Sequence, residues 1–149
     1  MPNPITFIKD DHRNVESLFE EYESCAQEEL EEKQDIAIQI GNALTVHAGM
    51  EEEILYPKLR EVFEGDDAKL IEEAYAEHTV AKQLLEEIKL LVPEDPQFDT
   101  KITVLKENVL HHVKEEEEKI LPRLEDLVSE EDMTVLGEEL EAYKIENEE

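Results

Sequence analysis

The sequence predicts an all-α protein: an up-down-up-down four-helix bundle followed by a short C-terminal helix. Apolar residues recur at three- and four-residue spacing through four long segments with short breaks between them. There are only four glycines in 149 residues, and the chain is rich in glutamate and leucine, both good helix formers. The segment HAGMEEEILYPKL, starting at His47, returns 65 residues later as HVKEEEEKILPRL, starting at His112, so the second and fourth segments carry related helices.

The first segment runs from about Pro4 to Glu31, with Ile5, Ile8, Val15, Leu18, Phe19 and Tyr22 on its stripe and Pro4 suited to a first helical position. The second runs from about Lys33 to Phe63 through Ile36, Ile40, Leu44 and Leu55. Gly65 and the pair Asp66–Asp67 mark the break to the third, about Asp67 to Val92, which carries Ile71, Ala74, Ala81, Leu85 and Ile88. PEDPQ, beginning at Pro93, reads as a loop. The fourth segment, about Phe98 to Leu127, carries Ile102, Leu105, Val109 and Ile120, and Ser129 then opens a short helix around Met133, Leu136 and Leu140. The division expected is a bundle over 1–128 and a short helix with an acidic tail over 129–149. Pro57 and Pro122 fall inside the second and fourth patterns at matching places, so both helices should kink or restart there. The matching breaks suggest approximate two-fold symmetry between the two helix pairs.

Charged residues are 38% of the chain and apolar residues 40%, which marks a folded protein with a solvated acidic exterior. The net charge of −28 argues against nucleic acid and against anionic membrane surfaces as partners. One cysteine, Cys25, leaves no internal disulfide and no thiolate cluster, and reads as a small buried hydrophobe. MPNPITFIKDD is too polar for a signal peptide and no apolar run approaches a membrane span, so the default expectation is a soluble cytoplasmic protein.

A histidine followed four residues on by a glutamate is weak evidence in so glutamate-rich a chain. Four of the five histidines satisfy it: His12 with Glu16, His47 with Glu51, His111 with Glu115, and His112 with Glu116. Position on the helix discriminates. His12, His47, His78 and His112 each lie on an apolar row, one per long segment, at separations that bring all four near one level of an antiparallel bundle. Glu51 and Glu116 share the rows of His47 and His112. His111 instead shares a row with Glu107, Asn108, Lys114 and Glu115 and faces solvent. An ionised glutamate in an apolar interior costs several kcal/mol without compensation. No lysine or arginine shares these rows closely enough to pair with both, so bound cations are the expected partners. Four imidazoles and two carboxylates exceed one tetrahedral site and fit two metals sharing bridging carboxylates, with iron, manganese or zinc suited to nitrogen and oxygen donors. Without cations, desolvation and like charge should raise the pKa of both glutamates.

Ferritin-like di-iron bundles place glutamate before histidine; here histidine comes first and glutamate follows at four. The chain resembles the hemerythrin family, specifically the hemerythrin-like HHE cation-binding domains, from ITFIKDDHRNVESLFEEYE through HAGMEEEILYPKL and EEAYAEHTVAKQLL to VLHHVKEEEEKILP. By position, the resemblance implies His12, His47, Glu51, His78, His112 and Glu116 as metal ligands, both glutamates bridging two oxo- or hydroxo-bridged irons, with zinc or manganese as substitutes. The oxygen carriers of that family place two histidines a turn apart in the third helix, whereas here Ala74 and Lys82 stand four residues either side of His78. They also place the last carboxylate five residues after its histidine, at Glu117 here; Glu116 is preferred because it shares the row of His112 and matches Glu51. Tyr56, where the repeat has Leu121, reads as a core aromatic, or alternatively as a phenol at the metal. Glu52, Glu53, Glu117 and Glu118 read as surface groups or as carboxylates that orient the histidines.

The function expected is that of a non-haem di-iron protein whose ligand is a small diatomic or a peroxide, binding or reacting with O2, peroxide or NO, with peroxidase- or catalase-like activity as the enzymatic form. The alternatives are an iron-binding sensor or storage module without turnover, and a metal-free helical interaction protein.

Overall fold

The structure, a computed structural model, describes residues 3–148. Met1, Pro2 and Glu149, the outer ends of the two expected segments 1–128 and 129–149, lie outside the described residues. Helix α1 spans Pro4–Ser24, α2 Leu30–Met50, α3 Tyr56–Val62, α4 Asp66–Lys89, α5 Pro96–Glu115, α6 Leu121–Leu127 and α7 Glu130–Asn147. The described residues contain no strand, and none of their helices is long and apolar enough to cross a membrane.

Local chemistry sets several of these starts. Asn3 caps α1 by accepting from the amides of Ile5 and Thr6, with Pro4 first in the helix. Asp95 does the same for α5 through Gln97, ahead of Pro96, and Ser129 caps α7 through Asp132. Gly65, at φ 60°, supplies the left-handed residue before α4. The first helix ends at Ser24, earlier than the expected Glu31, because the apolar stripe lapses after Tyr22 and the chain turns through residues 25–29. Cys25 lies in that turn, partly exposed, which corrects its reading as a buried residue.

The long rods form an antiparallel bundle in which α1 packs on α2 and α4 on α5, while α7 lies across α1 and α2. Two apolar clusters fill it. One contains Ile8, Met50, Leu55, Leu59, Ile71 and Leu124; the other contains Val15, Phe19, Ile40, Leu44, Leu85 and Leu105. Each large side chain buried there contributes about 1.5–3 kcal/mol. On every rod a histidine stands between the two sets: His12 between Ile8 and Val15, His47 between Leu44 and Met50, His78 between Ala74 and Leu85, and His112 between Val109 and Ile120. The polar layer is therefore clamped from both sides.

Neither internal proline breaks its rod. Each is absorbed by a π turn, Glu51–Leu55 before α3 and Glu116–Ile120 before α6, in which the amide of Tyr56 bonds to the Glu51 carbonyl and that of Leu121 to the Glu116 carbonyl. A proline has no N–H to give and its ring clashes with the carbonyl four residues back. Widening the turn by one residue removes that clash and keeps the path helical. The expected kink or restart is thus a restart through a π turn, with Pro57 and Pro122 in the first turn of the new helix.

Candidate metal centre

The bundle brings His12, His47, Glu51, His78, His112 and Glu116 together, all of them buried. His12 Nε2 lies 3.0 Å from Glu116 Oε1. His47 Nε2 lies 3.3 Å from Glu51 Oε2 and 4.0 Å from Glu116 Oε1. On the other side His78 Nε2 is 3.0 Å from Glu51 Oε1, and His112 Nε2 is 3.3 Å from Glu116 Oε2 and 3.5 Å from Glu51 Oε1. Each carboxylate turns one oxygen to the His12–His47 pair and the other to the His78–His112 pair. The ring centroids within those pairs are 4.9 and 4.8 Å apart.

With each Nε2 directed inward, each Nδ1–H donates to a carboxylate outside: His12 to Glu117 at 2.7 Å, His47 to Asp11 at 2.5 Å, His78 to Glu52 at 2.7 Å and His112 to Glu77 at 2.8 Å. Such bonds fix the ring plane and the tautomer and raise the basicity of the inward nitrogen. The partners form a closed ring of helices. Helix α1 holds the histidine of α2, the turn after α2 holds that of α4, α4 holds that of α5, and the turn after α5 holds that of α1. Behind them stand further basic side chains, Arg13 on Glu117, Lys82 on Glu52, Lys144 on Asp11 and His111 on Glu77.

Tyr56 breaks the two-fold pattern. The π turn stacks it over Glu51, five residues before it, and its hydroxyl lies 2.8 Å from Glu116 Oε2 and 3.0 Å from Glu51 Oε1. The same oxygen is 3.2 Å from His112 Nε2 and 3.4 Å from His78 Nε2. It is at once a fully buried core aromatic and a polar group at the centre of the His78–His112 half.

His111 is outside, its side chain 62% exposed between Glu77 and Glu115. Glu117 faces His12 Nδ1 and not the interior, while Glu116 is fully buried. Of the outer glutamates, Glu52 and Glu117 orient histidines; Glu53 and Glu118 are exposed, Glu53 accepting from the Tyr143 hydroxyl. Asp11 and Glu77 do the same work as Glu52 and Glu117 and were not anticipated. Their signal is that each directly precedes a core histidine, Asp11–His12 and Glu77–His78, which turns it toward the next helix.

The electrostatics correct one expectation. The Glu51 carboxyl is not raised; burial pushes it upward, but the charge of His47 and the bonds offered by Glu116, His112 and His47 hold it well below the usual range. Burial drives the His47 imidazole toward its neutral form, yet the Glu51 charge and the Asp11 and Glu51 contacts outweigh that and lift its pKa to about 10. His112 is raised well above its usual value by Glu116, Glu51 and Glu77 in the same contest with burial. The imidazoles of His47 and His112 thus supply positive charge to the carboxylates. Tyr56 is raised well above its usual value, by burial first and then by the charges of Glu116 and Glu51, so the phenol keeps its proton.

Two groups of these buried residues are able to hold a metal ion, His12 with His47, Glu51 and Glu116, and Glu51 with His78 and His112, the donor atoms of each within 4.8 Å of one another. The donor chemistry fits a metal of the iron, manganese or zinc kind. So does one detail of the packing. His47 Nε2 and Glu51 Oε2 are close enough to attract but off the line of a hydrogen bond, and both are buried without a hydrogen-bond partner. Natural interiors seldom leave such atoms unpaired, and one cation between them satisfies both. A cavity of about 310 Å³ opens onto the four histidines, walled by Val15, Leu44, Ala81, Leu85, Val109 and Val113. That is room for a small ligand against apolar walls, a single water occupying about 30 Å³ in the liquid.

Comparison with known proteins gives the family and the fold. The family model described as the hemerythrin HHE cation binding domain matches residues 3–124. A protein of Nostoc sp. named DNA nickase is 34% identical over 138 residues, which cover 92% of this chain and 38% of that relative, so the chain spans well under half of its length. The crystal structure of a hemerythrin HHE cation binding domain-containing protein from Mycobacterium kansasii superimposes with a TM-score of 0.84 at 22% identity, covering 99% of this chain and 88% of that one, and shares its fold.

Proposed function

The chain belongs to the hemerythrin HHE cation binding domain family, and from that premise we propose that it holds two iron ions and binds or reacts with a small oxygen-derived ligand: O2, peroxide or NO. One observation carries the reading: four inward Nε2 atoms converge on two buried carboxylates, each of which offers an oxygen to either half. In this proposal His12 and His47 would hold one ion and His78 and His112 the other, with Glu51 and Glu116 offering oxygens to both halves. A pair of irons, when bound, supplies electrons for exchange with the ligand and open positions for it to occupy. Zinc or manganese can occupy the same donors.

The remaining roles belong to the protein. The outer carboxylates Asp11, Glu52, Glu77 and Glu117 keep the Nε2 lone pairs directed inward. The apolar cavity admits a small neutral molecule and limits water. Tyr56 keeps a proton at its hydroxyl within 2.8 Å of Glu116, beside the His78–His112 half, where it donates to a ligand that gains negative charge. The single histidine of α4 leaves that half one imidazole poorer than in the oxygen carriers, which favours turnover of peroxide or NO over simple carriage.

Action on DNA is not carried over from the Nostoc relative, because a −28 net charge repels phosphate. A second reading, iron sensing or storage without turnover, draws support from the longer chain of that relative, in which the matching region is a part. Metal analysis of protein purified from iron-supplemented medium, followed by optical spectra with and without O2, peroxide or NO, separates the readings. About two irons per chain and a ligand-dependent spectrum are expected. Two irons without any response favour the sensing module, and absence of iron overturns both.

A further inference from the structure

Three of the four basic side chains behind the outer carboxylates arise inside the four-rod bundle. Arg13 stands beside His12, Lys82 one turn after His78, and His111 beside His112. The fourth, Lys144, comes from α7, beyond the segment that the family model matches. Its Nζ lies 2.8 Å from Asp11 Oδ1, while Asp11 Oδ2 takes the Nδ1–H of His47. Asp11 is thus divided between one ring and one cation, and both of its oxygens are used. It is also buried, so removing Lys144 leaves a carboxylate with one oxygen poorly satisfied and free to swing away from the imidazole.

Helix α7 is seated so that Lys144 has little latitude. Leu136 and Leu140 are buried in the apolar cluster around Met50 and Leu59. The Tyr143 ring lies on the backbone of Gly49, where any Cβ would collide with its hydroxyl, and that hydroxyl donates to Glu53 at 2.8 Å. Gly49 lies two residues after His47 and two before Glu51. The helix therefore grips the segment that bears one ligand histidine and one bridging carboxylate. Among the described residues the His112 side shows no counterpart to this grip, and there Glu77 is backed by an exposed histidine.

We propose that Lys144 is a positioning residue for the His12–His47 half of the metal centre, so that docking of α7 and metal loading of that half favour each other. This rests on the metal-binding reading above. Linkage makes the effect reciprocal: a contact that tightens metal binding is itself tightened by metal. Loss of a partner to a ligating histidine typically costs 10- to 100-fold in metal affinity. Lys144 acts through Asp11, so a loss of about tenfold, confined to one of two ions, is expected.

The test titrates anaerobic ferrous iron into the whole chain against a chelator and follows hydrogen exchange of the α7 amides in the same samples. The wild type should take two ions and protect α7 on loading. Lys144→Met should keep one site unchanged, weaken the other about tenfold and lose the metal-dependent protection of α7, while Lys144→Arg restores both. Lys58→Met removes another ion pair to α7, that with Asp132 in its first turn, and should leave both sites intact. Near-equal affinities in Lys144→Met and wild type overturn the inference while leaving the metal reading standing. Equal losses in Lys58→Met and Lys144→Met also overturn it, since they would reduce α7 to general support. A wild type that takes no metal overturns the metal reading and this inference with it.

Discussion

Metal loading at this centre should be a competition with protons, and its size can be worked from one residue. In the metal-free protein His47 is held at a pKa of about 10 between Asp11 and Glu51, against an ordinary value of 6.5. At pH 7 an incoming ion must expel that proton, about three pH units against its preference. At about 1.4 kcal/mol per unit this is roughly 4 kcal/mol, or a thousandfold in apparent affinity. His112 is displaced in the same direction. Apparent affinity should therefore climb by about ten- to a hundredfold per pH unit between pH 6.5 and 9, one power of ten for each proton released. Stability follows the same logic. With a raised folded pKa, the His47 contribution to the metal-free protein is complete below 6.5 and fades as pH rises through about 10; Glu51, held low, contributes above its ordinary 4.5 and loses that only as pH falls through its depressed value. The metal-dependent rise in melting temperature should hence shrink from pH 8 to pH 5. Calorimetry in buffers of different ionisation enthalpy counts the protons released, and melting curves with and without iron give the increment. Binding that releases no protons, or an increment that is flat or grows toward pH 5, refutes the assignment of these histidines as ligands.

The paired histidines of α5 offer a check on register. His112→Ala should lower metal content and thermal stability together, and His111→Ala should do neither, as read by metal analysis and melting; the reverse result would place the wrong histidine inside. Tyr56→Phe removes a donor that reaches a buried carboxylate, so the metal-free protein should lose about 1.5–3 kcal/mol in denaturant unfolding. An unchanged midpoint would place the hydroxyl outside the network.

Much of this was legible in residue spacing. Apolar rows place His12, His47, His78 and His112 inward and His111 outward, and the structure agrees for all five because a helix face of 3.6-residue period leaves little freedom. The row of His112 also distinguishes Glu116 from Glu117. What escaped lies off those rows. Asp11 and Glu77 sit one residue from a core histidine, on the seam between helices, where a row analysis sees neither core nor surface. The position of Tyr56 over Glu51 depends on a bond across five residues, which an α-helical period cannot show. Lys144 reaches Asp11 across 133 positions, and its role depends on how α7 docks, which no local pattern records. The raised expectation for Glu51 failed for a different reason. Desolvation and like charge leave out His47 and His112, which the neighbouring carboxylates hold in their charged form.

The closed ring of imidazole–carboxylate bonds also bears on when the centre can form. No histidine is oriented by its own rod. His12 waits on the turn after α5, His47 on α1, His78 on the turn after α2, and His112 on α4. A chain with three rods in place has two of the four bonds broken, one imidazole left without its carboxylate and another not yet placed. The site therefore behaves as an interlock that engages late in folding, and partly folded chains compete poorly for scarce metal.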